Sequence, residues 1–130
     1  MYGAFVWARR ALNSRKRRFP ARVEENLVAL ITALRKQYNA PKAPFVTASL
    51  GQTTHGATDG GGLILDAMEA VANGTKYPAF KGNVAAVYTH PLEHTPGSSG
   101  AHYGKDAETY MNVGEAMGTA MVELLKGAGR

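Results

Sequence analysis

The spacing of hydrophobic residues divides the chain into alternating strands and helices. Stretches with apolar residues at helical spacing predict three helices, at about Arg22 to Gln37, Leu63 to Asn73 and about Asp106 to Leu125. Short runs of β-branched, aromatic and small residues predict three strands, at Tyr2 to Trp7, Pro44 to Leu50 and Val84 to Thr89. Most of the connections contain Gly, Pro or Asn, which end regular structure.

The order β-α-β-α-β-α predicts an α/β fold. Strands that alternate with helices form a parallel sheet through right-handed crossovers, and the helices cover its faces. Three strands are few, because sheets average about five or six. We therefore expect a sheet truncated at its N-terminal side, with residues 1–130 forming the C-terminal part of a single domain.

The composition is that of a globular protein, with 45% hydrophobic residues in a chain of 130. It contains no run of about 18 apolar residues, so we expect no membrane span. The absence of cysteine excludes disulfides, thiolate zinc sites and a cysteine nucleophile. The first residues lack the apolar core of a secretory signal, and the compartment is left open.

The net charge of +5 arises in residues 8–22, which carry seven basic side chains and no acidic one. The rest of the chain has eight basic and ten acidic side chains. Clustered Arg and Lys can neutralise phosphates, so a polyanion-binding protein is one alternative. Against it, the run contains one aromatic residue, Phe19, and no nucleic-acid-binding motif, and we expect no nucleic-acid partner.

Active sites of open α/β sheets lie beyond the carboxyl ends of the strands, which here are followed by three loops. These loops are Ala8 to Ala21, Gln52 to Gly62 and His90 to Lys105. The third loop contains three histidines, His90, His94 and His102, and His102 stands just before the last predicted helix. From position alone, a structural or surface role for His102 is favoured over a catalytic one.

A metal site is a competing interpretation of the histidines. His90 and His94 are four residues apart, and His55 could join them. On a loop, however, this spacing enforces no geometry, and no carboxylate stands at a zinc-type interval. We therefore expect no metal.

Three stretches of the sequence resemble the C-terminal half of the sialate O-acetylesterase-type domain, a family of SGNH-hydrolase carbohydrate esterases. They are ENLVALITALRKQYNAPKAPFVTASLGQ, KYPAFKGNVAAVYTHPL and AHYGKDAETYMNVGEAMGTAMVELL. The resemblance covers about residues 23 to 126, and HYGKDAETYMNVG and KYPAFKGNV are its most specific parts. It implies a three-layer SGNH or flavodoxin-like sheet and hydrolysis of acetyl esters on sugars, without a metal or organic cofactor.

The resemblance implies that His102 is the catalytic base. In this family, the histidine of a His-Tyr pair before the last helix takes a proton from the attacking serine and returns one to the leaving sugar oxygen. SGNH enzymes often place an acid three residues before this histidine, where this chain has Ser99. The orienting acid then comes from elsewhere, and Glu93 is the nearest upstream candidate. Alternatively, the catalytic relay is a dyad of serine and histidine without an acid, or the relay is degraded.

Two departures from the family pattern predict no more than trace esterase activity. After the strand that ends at Trp7 the family has a Gln-Gly-acid block, whereas residues 8–22 here are basic, which suggests a shifted reading frame or decay. The family's serine lies in a turn upstream of Trp7. None of the serines in this chain stands on a strand-turn-helix elbow: Ser14, Ser49, Ser98 and Ser99.

A non-catalytic carbohydrate-binding remnant is a further alternative. It would retain sugar contacts through the loop of Thr53, Thr54 and His55 and through Trp7. The partner that the resemblance implies is an O-acetylated carbohydrate substrate. The oligomeric state is left open.

Overall fold

The computed structural model describes residues 20–95, residue 97 and residues 101–128. Helices and strands alternate within them: α1 (Pro20–Gln37), β1 (Phe45–Ala48), α2 (Gly60–Ala72), β2 (Val84–Val87) and α3 (Ala107–Ala128). Short 3-10 turns occupy Pro78–Phe80 and His90–Leu92, and Ala101–Lys105 forms a turn that contains left-handed backbone. None of the helices in this described part combines the length and apolar character that crossing a bilayer requires.

The predicted elements are confirmed wherever the structure describes them, with shifted ends. Both strands are shorter than predicted, and α3 continues to Ala128. The predicted strand Tyr2 to Trp7 and most of the basic segment 8–22 lie outside the described residues.

The glycine-rich stretch before α2 was predicted to be a loop as far as Gly62, and this boundary is wrong. The helix begins at Gly60 because Asp59 caps it: a carboxylate oxygen of Asp59 accepts a hydrogen bond of 2.9 Å from the amide of Gly62. A capped amide offsets the low helix propensity of glycine at this end.

The two strands pair in parallel, as predicted, in the register Phe45 to Val84 through Ala48 to Val87. The ladder continues beyond both ends. The amide of Phe45 donates to the carbonyl of Asn83 at 3.0 Å, and the amide of Ser49 donates to the carbonyl of Val87 at 2.9 Å. The described sheet thus has two strands in a mixed helix and sheet fold.

The core lies between α1, α2 and β2. Four buried side chains form its centre: Ile31, Val71, Phe80 and Val84. Ile64 and Met68 form a second cluster, against which Val23, Leu27 and Ala86 pack. Helix α3 contacts both strands. Each fully buried side chain of this size contributes about 1.5–3 kcal/mol to folding.

Arg35 joins α1 to the amino ends of both strands. Its guanidinium donates to the carbonyl of Ala43 at 2.6 Å, and to the carbonyl and side-chain oxygens of Asn83 at 3.1 and 2.8 Å. The group also lies 5.3 Å from the centre of the Phe80 ring. Burial lowers the pKa of Arg35, yet an arginine remains charged. Because a buried charge needs partners, this residue fixes where both strands start.

Gly62 lies where α2 passes the loop that precedes it. A methyl group at this position would overlap the carbonyl oxygen of Ala57. The glycine is therefore required for close approach and not for a special backbone angle.

Gly62→Ala is expected to lower the free energy of unfolding, although alanine is the better helix former. Gly118→Ala is the matched control, because Gly118 is exposed in α3 and a methyl group there meets nothing within 4 Å. The control should gain up to about 1 kcal/mol from helix propensity. Urea unfolding of both variants is the measurement, and a gain in Gly62→Ala would contradict the described packing.

Candidate functional site

Two buried hydroxyl side chains join the strands just past their carboxyl ends. Ser49 and Thr89 are 2% and 0% exposed. The amide of Thr89 donates to Ser49 Oγ at 3.0 Å, and Thr89 Oγ1 donates to the carbonyl of Ser49 at 3.0 Å. The two hydroxyl oxygens are 3.2 Å apart. These contacts extend the parallel pairing by side-chain hydrogen bonds.

The hydrogen positions in this pair follow from counting protons. A hydroxyl has one proton, and that of Thr89 is donated to the Ser49 carbonyl. The proton between the two hydroxyls must therefore come from Ser49. Ser49 is thus buried, and its hydroxyl donates a hydrogen bond to Thr89.

Tyr103 closes the same network from the segment before α3. Its hydroxyl donates to Thr89 Oγ1 at 3.3 Å, and the residue is 4% exposed. Its ring lies so close to Gly51 that a methyl group on Gly51 would overlap it. The ring of Tyr110 meets it edge-on at 5.1 Å. Tyr103 therefore anchors the turn of residues 101–105 against the carboxyl ends of both strands.

His102 precedes this anchor and is exposed. Its backbone is left-handed, with φ of 55°, and the next three residues also have positive φ. Left-handed backbone costs a non-glycine residue about 1–2 kcal/mol, so the packing of Tyr103 must stabilise this turn. No pattern in the sequence predicts this left-handed run. Ser14, Ser98 and Ser99, considered beside His102 above, lie outside the described residues.

A second histidine, His94, lies against the start of α3. Asp106 caps this helix, since one carboxylate oxygen accepts from the amides of Glu108 and Thr109 at 3.0 and 3.3 Å. The other oxygen accepts from the amide of Thr95 at 3.2 Å. His94 Nδ1 is 3.5 Å from Asp106, and its Nε2 is 3.3 Å from Glu108. Both ring nitrogens of His94 therefore face carboxylates.

The pKa of Asp106 is lowered from 3.8 to about 2. Hydrogen bonding by Thr95 is the largest cause, followed by the amides of Thr109 and Glu108 and by the charge of His94. The carboxylate is thus ionised at any physiological pH and holds the 90–95 loop on the helix.

The remaining two histidines lie at the same edge of the sheet. His90 Nδ1 is 2.6 Å from the carbonyl of Gly51. Because a carbonyl only accepts, Nδ1 donates and carries the proton. His55 Nε2 is 2.6 Å from a carboxylate oxygen of Glu69, and the His55 ring lies 4.0 Å from that of Tyr88. Sequence reasoning missed Glu69, which lies on α2 and has no local pattern linking it to His55.

The histidines considered together as metal ligands are thus each held by a different partner. His55 is bound to Glu69, His90 to Gly51, and His94 to two carboxylates. Within the described ranges, no three histidine, cysteine, aspartate or glutamate side chains are arranged to hold a metal ion.

No protein-family model, curated protein or solved structure matches the chain.

The stability that Asp106 contributes is expected to depend on pH. Because its pKa is lower in the folded chain, this stability is complete above the ordinary value of 3.8 and is lost as the pH falls towards about 2. The Tm difference between the wild type and Asp106→Asn should therefore shrink over this interval. Glu115→Gln, at an exposed position of the same helix, is the comparison. A difference that stays constant for Asp106→Asn would contradict the described hydrogen bonds.

Proposed function

We propose that this chain is the C-terminal part of a sialate O-acetylesterase-type SGNH domain, with His102 as its proton-transfer histidine. One observation carries the proposal. Tyr103, buried between Gly51 and Thr89, fixes the preceding His102 beside the carboxyl ends of both strands. This edge is where open α/β sheets bind their ligands.

The proposed three-layer architecture is supported by the alternation of side chains along β2. Val84 and Ala86 pack against the clusters formed with α1 and α2. Ala85 and Val87 point to the other face of the strand, because successive side chains alternate. Helix α3 contacts both strands and is the proposed cover for that second face. Further strands complete the sheet in this proposal.

In the proposed reaction, His102 takes the proton of a serine hydroxyl as the serine attacks the acetyl carbonyl of an O-acetylated sugar. The proton then passes to the sugar oxygen as that oxygen leaves. Ser49, the one serine within the described residues, is buried and its hydroxyl donates a hydrogen bond to Thr89, so we do not propose it as the nucleophile. We therefore propose that these 130 residues have only trace esterase activity towards such sugars.

The proposal is tested by titrating the chain with an O-acetylated sialoside and with the same sialoside after deacetylation. The imidazole resonance of His102 is followed by NMR. The acetylated sugar should shift this resonance, and the deacetylated sugar should shift it less, because the acetyl group is the part that His102 faces. His102→Gln should weaken binding of the acetylated sugar only.

Lys81→Gln is the control for this titration, since Lys81 is exposed beside the amino end of β2. Equal shifts with both sugars would favour the non-catalytic carbohydrate-binding alternative. No shift with either sugar would overturn the proposal. Robust turnover that His102→Gln abolishes would contradict the expected trace activity.

A further inference from the structure

His55 is held in a defined orientation by two neighbours. Its Nε2 lies 2.6 Å from Glu69 Oε1, and its ring lies on Tyr88 with 4.0 Å between centres and a tilt of 38°. The side chains of His55 and Glu69 are 53% and 40% exposed. The pair is therefore oriented and also open to solvent.

The loop that carries His55 is fixed at several points. The carbonyl of Gly51 binds His90, and Thr53 Oγ1 donates to the carbonyl of Leu50 at 2.7 Å. Tyr88 directly follows β2, so the ring on which His55 lies is tied to the sheet. The loop therefore presents His55 at the carboxyl edge with little freedom, and such preorganisation favours catalysis.

The protonation of His55 follows from its partner. An ionised carboxylate only accepts hydrogen bonds, so Nε2 carries the proton and Nδ1 is the basic nitrogen of the neutral ring. Within the described residues, no hydrogen-bond partner occupies Nδ1 of His55. Glu69 holds the tautomer and stabilises the imidazolium that forms when Nδ1 accepts a proton, as carboxylates do in catalytic histidine pairs.

We propose that His55 is a general base for the hydrolysis of small acyl esters, with Glu69 as its positioning residue. Water is the nucleophile: its oxygen bonds to the ester carbonyl carbon while one of its protons passes to Nδ1. The tetrahedral intermediate then breaks its bond to the leaving oxygen, which departs as an alcohol with the proton from Nδ1. An acidic leaving group such as p-nitrophenol departs as its anion instead, and Nδ1 then loses its proton to solvent. The products are a carboxylic acid and an alcohol. This goes beyond the proposed function, because it needs neither a serine nor His102.

His94 provides a matched comparison within the chain. Its side chain is 51% exposed, close to the 53% of His55, and it also faces carboxylates. The difference that bears on catalysis is at the ring nitrogens: both nitrogens of His94 face carboxylates, whereas within the described residues Nδ1 of His55 is left for water. If exposure of an imidazole alone were enough for ester hydrolysis, His55 and His94 would be equally active.

The test measures hydrolysis of p-nitrophenyl acetate by the full chain and by His55→Gln, His94→Gln and Glu69→Gln, after thermal unfolding has shown each variant to be folded. General-base catalysis typically contributes about 100-fold or more, so His55→Gln should lower kcat/KM at least about tenfold. His94→Gln should leave it unchanged. Glu69→Gln should lower kcat with little effect on KM, because a neutral amide does not stabilise the positive charge that the His55 ring acquires as it takes the proton of water.

Three results would overturn the proposal. The first is an equal loss in His55→Gln and His94→Gln, which would indicate unspecific imidazole chemistry. The second is an acetyl adduct on His55 in mass spectrometry, with equal rates in H2O and D2O, which would make His55 a nucleophile. The third is a loss in His102→Gln with His55→Gln unaffected. The sugar titration of His102 is independent of these outcomes, so the two proposals fail separately.

Discussion

The pairing of Ser49 with Thr89 is the contact on which the arrangement of the carboxyl edge depends. A hydroxyl buried without a partner costs about 1–3 kcal/mol, so two buried hydroxyls at the strand ends are stable only if they satisfy each other. Here each donates once, and Thr89 also accepts from Tyr103. Among the described residues, no buried side-chain nitrogen or oxygen lacks a hydrogen bond.

The short parallel sheet is thus held at both ends by side chains. Arg35 binds the carbonyls that lead into the strands, and the Ser49–Thr89 pair binds the residues that leave them. The backbone pairing itself is short, with four paired positions, so these side-chain contacts add to the stability of the sheet. Because the exit of each strand is fixed, the loops that follow present their histidines in defined positions. The chemistry proposed for His102 and His55 depends on this fixed edge.

The sequence predicted the elements well because their signals are local. Helical spacing of apolar residues identified α1, α2 and α3, and parallel pairing followed from the alternation of strands with helices. The start of α2 was missed because the cap of Asp59 outweighs the propensity of a glycine run. The membership of an SGNH family remains a proposal, since it was inferred from resemblance and the described sheet has two strands.

The candidate sites were less predictable, for a physical reason. Glu69 and His55 are 14 residues apart, and they meet because α2 passes the loop after β1. No periodicity in the sequence encodes such a contact. The left-handed run that begins at His102 is likewise imposed by the packing of Tyr103, since Tyr and Lys do not favour this backbone.

Amide hydrogen exchange at Thr89 tests the central role of the buried hydroxyls most directly. The Thr89 amide donates to the side chain of Ser49, so its protection from exchange reports on this hydrogen bond. We expect this amide to exchange as slowly as the amide of Leu65 in the core of α2, and Ser49→Ala to remove this protection. A Thr89 amide that exchanges as fast as that of the exposed Thr54 would contradict the central role of the Ser49–Thr89 pair.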